Sequence, residues 1–266
     1  MAIIGAILGD IAGSRWEFRR PCDLDWKHIE LFTDDCEFTD DTVLTVATKY
    51  ALDKSIPFAM AYHSFGNSFL DTNVSYGGLF REWLSENKLK PYNSYGNGSA
   101  MRVSPIADYA KDLYSVKNLS EYSARCTHSH PEGVKGAVVT ATCIFMAKNG
   151  CSKSEIEKYA TEQYPKDNYL YPVESKLIEL RDEYRWSSSC QASVPVAIRC
   201  FLDSEDYESF IRNVISIPCD TDTICAIGGG IAEEYYHGTG FNETELLERY
   251  LDKRLLTQIE YGGINK

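Results

Sequence analysis

Apolar residues recur at helical spacing almost everywhere, and this constrains the chain more than any other feature. Val43, Leu44, Val46, Ala47, Tyr50 and Ala51 stand at intervals near three and four, which lines one face of a helix. Runs of β-branched residues alternating with polar ones, the mark of a half-buried strand, are nearly missing. The boundaries are also written in the sequence. Pro131 to Lys148 opens with proline at the first helical position and stops before Gly150. Ser152-Lys-Ser-Glu155 is a capping box, and Asn242-Glu-Thr-Glu245 repeats the signal ahead of Leu246, Leu247 and Tyr250. Further helical windows lie near 57–69, 99–111, 117–126, 174–184, 193–202, 206–216 and 222–237. The expectation is an all-α protein of ten or more helices, compact and in a single domain over residues 1–266. No repeat of about 20–50 residues is evident.

Charge and cysteine usage narrow the function classes. Against 27 Lys and Arg stand 39 Asp and Glu, a formal net charge of −12. This argues against nonspecific contact with nucleic acid or anionic membrane, which calls for clustered Lys and Arg. It does not argue against cations. No apolar run approaches the ~18–20 residues of a membrane helix. The apolar start lacks a positive segment and is interrupted by Asp10, so it is no signal peptide. The nine cysteines are odd in number and form no Cys-x-x-Cys pair, which excludes the common zinc-finger and thioredoxin spacings. They read as reduced core thiols of a cytoplasmic protein.

Two acidic motifs stand out. Phe38-Thr39-Asp40-Asp41-Thr42 immediately precedes the helical face that starts at Val43. Thr39 or Asp40 suits an N-cap, and carboxylates in a first turn oppose the positive end of the helix dipole. Capping needs one acceptor, however, and two adjacent carboxylates flanked by threonines exceed that need. Asp220-Thr221-Asp222-Thr223 repeats the arrangement before a helix containing Gly228-Gly229-Gly230. Three glycines inside a helix cost about 1 kcal/mol each against alanine, which makes sense if another backbone packs closely there. A calcium EF-hand loop is excluded, because Cys225 and Ile231 stand where its Gly and Glu belong. Together the two motifs offer oxygen ligands suited to Mg²⁺ or Mn²⁺, and four aspartates suffice for two cations roughly 3.5–4 Å apart.

Three further segments are candidates. Gly9-Asp10-Ile-Ala-Gly13-Ser-Arg-Trp-Glu17 carries two acids between glycines, read either as part of a site or as solvated residues beside a tight helix contact. Ser94-Tyr95-Gly96-Asn97-Gly98-Ser99-Ala100-Met101-Arg102 is a loop running into a helix, whose backbone N–H groups suit a phosphate cradle. It is no Walker loop, since no Gly-Lys-Ser/Thr follows. Thr127-His128-Ser129-His130-Pro131 precedes a helix. Its two histidines do not share a helix face, so each is either a polar substrate contact or a satisfied helix-entry residue.

In order and content, these motifs resemble the ADP-ribosylglycohydrolase family, which includes the bacterial dinitrogenase reductase-activating glycohydrolases. The match covers Gly5-x-x-x-Gly9-Asp10…Glu17, Phe38 to Thr42, Ser94 to Arg102, Thr127-His128 and Asp220 to Thr223. The resemblance implies an all-α fold with a binuclear Mg²⁺ or Mn²⁺ centre in a cleft. It also implies hydrolysis of the bond between ADP-ribose and an acceptor, as in reversal of mono-ADP-ribosylation of protein side chains. One cation would be held by Thr39, Asp40, Asp41 and Asp222, the other by Asp220, Asp222 and Thr223 with Glu17 nearby. Glu17, as general base or gate, and Asp41 would be the catalytic residues. Ser94, Tyr95, Gly96, Asn97, Gly98 and His128 would contact the ADP-ribose, and Tyr76-Gly77-Gly78 would match a second glycine loop near the diphosphate. The site uses five of the 39 acids, and the rest read mostly as solvated surface and caps. The implied partner is an ADP-ribosylated protein or an ADP-ribose derivative, acted on by a monomer. Arginine, serine, an acetylated ADP-ribose and a nucleic-acid base are all open as acceptors, the last disfavoured by the net charge. One departure is Pro218-Cys219, where many relatives have Gly-Gly; proline fixes φ and removes a donor. The competing expectation is a catalytically weak or silent ADP-ribose binder. It predicts lost ligands, whereas the four motif aspartates and Glu17 are intact.

Overall fold

Gly5, Gly9 and Gly13 stand four residues apart on one face of the first helix, and they let the backbone of another helix come close. In the computed structural model, which describes residues 1–86 and 89–260, this helix lies against the one that begins at the second acidic motif. A Cβ added at Gly5 would sit 2.4 Å from the Gly229 carbonyl oxygen, one at Gly9 2.4 Å from that of Cys225, and one at Gly13 2.6 Å from Cα of Asp222. Gly229 in turn faces the Gly5 backbone. The glycine triplet therefore has the close backbone neighbour that its helical setting demanded.

The chain order is α1 (Ala2–Ser14), α2 (Asp40–Lys54), α3 (Phe58–Ser68), α4 (Gly78–Ser85), α5 (Gly98–Met101), α6 (Ser104–Tyr109), α7 (Leu113–Arg125) and α8 (Pro131–Lys148). There follow α9 (Lys153–Gln163), α10 (Leu177–Glu183), α11 (Cys190–Leu202), α12 (Tyr207–Ile215), α13 (Thr221–Tyr236), α14 (Glu243–Tyr250) and α15 (Lys253–Glu260). Among the described residues no strand occurs. A single bridge pairs Gly96 with Ser189. One hydrophobic core reaches from Ala2 to Ile259, with α13 in its middle, touching α1, α8, α11 and α12. The last six residues of the 1–266 span lie outside the described residues.

Capping explains most boundaries. Thr39 caps α2, its hydroxyl accepting from Asp41 N, and Ser152 with Glu155 forms a reciprocal capping box on α9. Asn242 accepts from Glu245 N at the start of α14. Three helices fall outside the expected windows: α1, α4 and α15. In α1 residues 2–13 are all buried, so its apolar pattern goes all round and shows no stripe. The window near 99–111 divides into α5 and α6, with Arg102 and Val103 between them and Pro105 inside the second start. The window near 193–202 begins earlier, at Cys190, and tolerates Pro195 within it. No described helix is long and apolar enough to cross a membrane.

Candidate metal centre and substrate loop

The α1–α13 contact carries the chemistry with it. Asp10 projects from α1, Glu17 follows its end, and Asp220 and Asp222 stand at the start of α13. The start of α2 adds Thr39, Asp40 and Asp41. Two groups of carboxylates result, Asp10 with Asp41 and Asp222, and Glu17 with Asp220 and Asp222. Within each group one oxygen per residue lies within 4.8 Å of the others, and Asp222 belongs to both. Asp40 falls in neither group, although its charge acts on its neighbours. The Thr223 hydroxyl lies 3.2 Å from Asp41 Oδ2 and that of Thr39 3.3 Å from the same atom.

Converging carboxylates raise one another's proton affinity. Burial, then the charges of Asp10 and Asp220, push Asp40 up to about 8. Burial, then the Asp220 and Asp40 charges, push Glu17 up to about 8. Asp41 and Asp222 are driven well above the ordinary range by burial and by neighbouring acids. The Asp41 Oδ1 atom is buried without a hydrogen-bond partner. A buried orphan acceptor among like charges fits a cation, and the all-oxygen donor set fits a hard divalent one. Cys219 does not add a soft ligand. Its Sγ lies 3.7 Å from the Val214 carbonyl and 3.9 Å from the Thr221 hydroxyl.

Asp10 decides between its two open readings. It is fully buried rather than solvated, and it accepts four hydrogen bonds from Thr39 and Thr42. Glu233 is a second buried acid outside the site, accepting from Gly5 N at 2.5 Å. An acid in an apolar helix shows no partner in the sequence when that partner is contributed from elsewhere in the chain.

The Ser94–Gly98 loop is joined to the acidic cluster through Asn97, whose Nδ2 donates to Asp220 Oδ2 at 2.8 Å and to Ser193 Oγ at 3.0 Å. Two of the loop amides expected to form a cradle are already engaged within the protein. Gly96 N donates to Ser94 Oγ, and Asn97 N donates to the Ser188 carbonyl. Tyr95 is half exposed, its ring against that of His130. The Gly96–Ser189 bridge sets the loop beside a cavity of about 550 Å³ walled by Tyr169, Tyr171 and Trp186.

The two histidines separate. His130 caps α8, its Nδ1 accepting from Glu132 N, and is the helix-entry residue. His128 is buried, with Nδ1 2.8 Å from the Thr127 hydroxyl, and a Cβ at Gly98 would lie 3.4 Å from its Nε2. Arg102, to which sequence reasoning gave no role, is buried over the Tyr62 ring and donates to Thr127 Oγ1 at 2.7 Å. Arg102 occupies one lone pair of that hydroxyl, which meets Nδ1 with its proton or its other lone pair, and the His128 imidazole is neutral. Burial, then the Arg102 charge, hold its pKa well below the ordinary value. Gly77 caps α4 in open space, and the buried Tyr76 hydroxyl has no partner.

A family model described as ADP-ribosylglycohydrolase matches residues 1–252. The chain is 26% identical to ADP-ribosylhydrolase ARH3 of Mus musculus, covering 94% of this chain and 90% of that protein. For the Homo sapiens protein of the same name the identity is 26%, over 94% and 92%. A solved structure titled ADP-ribosylglycohydrolase-related protein complex shares the fold with a TM-score of 0.70 at 19% identity, covering 97% of this chain and 93% of that one.

Proposed function

The chain belongs to the ADP-ribosylglycohydrolase family, whose members are glycosidic-bond hydrolases, and from this premise we propose that it uses two Mg²⁺ or Mn²⁺ ions to release ADP-ribose from modified protein side chains. The observation behind the reading is the pair of carboxylate groups that share Asp222. One ion would be held by Thr39, Asp40, Asp41 and Asp222, the other by Asp220, Asp222 and Thr223. The ions, when bound, supply Lewis acidity at ribose hydroxyls and a water of lowered pKa.

The protein's own groups do the rest. Cleavage of a glycosidic bond passes through an oxocarbenium-like state, with positive charge growing at the anomeric carbon. The carboxylate of Glu17, beside Asp220 and Asp222, is placed to accept a proton from the attacking water. Asp41, in the other group that contains Asp222, is the second catalytic candidate. The His128 imidazole and the Ser94–Gly98 loop position the ribose and diphosphate, so that the reacting bond is held at a fixed place. A cytoplasmic setting is supported by nine unpaired thiols.

A substrate panel tests the proposal. It should contain arginine-linked and serine-linked ADP-ribosyl protein, acetylated ADP-ribose and an ADP-ribosylated base. Release of ADP-ribose with Mg²⁺ or Mn²⁺ and none with EDTA is the expected result. Saturable ADP-ribose binding with no release from any member would overturn the assignment as an enzyme of this kind and leave a binder.

A further inference from the structure

Asp10 sits among the groups that face the candidate metal centre, yet its oxygens are already occupied. Oδ2 accepts from Thr39 N at 2.9 Å, from Thr42 N at 3.1 Å and from the Thr42 hydroxyl at 2.5 Å, while Oδ1 accepts from the Thr39 hydroxyl at 2.8 Å. Three donors crowd Oδ2 and one occupies Oδ1, so most of the carboxylate's about four acceptor sites are used within the protein. The effect of this arrangement falls on Thr39. A hydroxyl has one proton, and the 2.8 Å contact to Asp10 takes it in preference to Asp41 Oδ2 at 3.3 Å. One lone pair of Thr39 Oγ1 accepts from Asp41 N at 3.2 Å. The other lone pair is then left free on the oxygen that lies 3.3 Å from Asp41 Oδ2.

We propose that Asp10 is a positioning residue, not a metal ligand: it draws the Thr39 proton away from the cluster and leaves that hydroxyl as a pure oxygen donor for the ion shared with Asp41. The same four bonds fix the entry of α2, on which Asp40 and Asp41 stand, against α1. Burial pushes the Asp10 carboxyl up while the threonine bonds oppose it. The inference rests on the two-cation reading above, but it concerns binding and not turnover.

The test is Mn²⁺ titration by calorimetry on chain stripped with a chelator, with melting of the stripped chain as the check on folding. Wild type should bind two ions. Asp10→Asn should still bind two, one of them about 10–100-fold more weakly, as for other groups that orient a ligand. Thr39→Val should weaken the same ion, and the double variant should be no weaker than Thr39→Val alone, because Asp10 acts through that hydroxyl. Wild-type affinity in Asp10→Asn, multiplying losses in the double variant, or complete loss of an ion in Asp10→Asn alone would each overturn the inference. Should Asp10→Asn fail to fold, unchanged binding by Thr39→Val overturns it equally. If wild type binds no Mn²⁺, the metal reading falls first and this inference with it.

Discussion

The side-chain amide of Asn97 donates to Asp220 Oδ2 at 2.8 Å, joining the Ser94–Gly98 loop to the second acidic motif across 123 residues of sequence. Its other proton goes to Ser193 Oγ, so both donors are engaged in a buried setting. Asn97→Ala removes an orienting bond from Asp220 and leaves Ser193 without its donor. Loss of one buried bond typically costs about 1–3 kcal/mol in stability. Mn²⁺ affinity should fall roughly tenfold or more. Thermal melting and calorimetry measure the two separately, and unchanged affinity would detach the loop from the metal centre.

The α1–α13 contact gives a prediction about stability alone. Gly9→Ala would place a methyl 2.4 Å from the Cys225 carbonyl, where only backbone can yield. Overpacking of this kind costs about 1–3 kcal/mol and occasionally more. The effect should extend to the site, because the same contact sets Asp10 beside Asp222. Gly77→Ala is the control: nothing lies within 4 Å and its φ is −56. There alanine should be neutral or stabilise by up to about 1 kcal/mol through the unfolded chain. Urea denaturation of both variants decides the matter.

The fold and most candidate residues were legible because their signals are local. Helical period, caps and the glycine triplet depend on neighbours in sequence, and each found its counterpart in α2, α9 and the Gly229–Gly5 contact. The α1 helix escaped the period because it is buried all round. Asp10 and Arg102 escaped for another reason. Their roles depend on partners outside their own segments: Thr39 and Thr42 for Asp10, Thr127 for Arg102. Nothing in the residue types around an acid in an apolar stretch distinguishes a solvated carboxylate from one with four donors. The residue types alone left His128 and His130 undivided for the same reason, and only the family resemblance singled out His128.

Glu233 predicts a pH dependence outside the metal centre. Burial pushes its carboxyl up to about 8, opposed by the bond from Gly5 N and the neighbouring terminal amine. The unfolded chain titrates this group near 4.3. The folded state therefore binds more protons between those values, and the stability associated with the neutral acid is lost as pH rises toward and through about 8. Glu233→Gln removes the titration. The variant should gain on wild type in melting temperature between pH 6 and pH 9, and a constant gap across that range would refute the assignment.

Asp222 belongs to both carboxylate groups and Asp41 to one, so their variants should differ. A ligand at 100 times its Kd stabilises by about 2.7 kcal/mol. Wild type should show two saturable stabilising events with Mn²⁺ in thermal melting. Asp41→Asn should lose one of them and Asp222→Asn both. Equal behaviour of the two variants would contradict a shared Asp222.

Glu17 separates chemistry from binding. It stands beyond the end of α1, partly exposed, with its carboxylate in the group formed with Asp220 and Asp222. A general base contributes only when a proton moves, and such groups are typically worth about 10²–10⁴ in rate. Glu17→Gln keeps the shape and one acceptor but cannot take a proton. Turnover should therefore fall within that range while ADP-ribose and Mn²⁺ bind as in wild type. Calorimetry with each ligand, beside single-turnover release of ADP-ribose, measures the three quantities. Loss of Mn²⁺ binding would make Glu17 a ligand of the second ion, and full turnover with binding intact would require a different base.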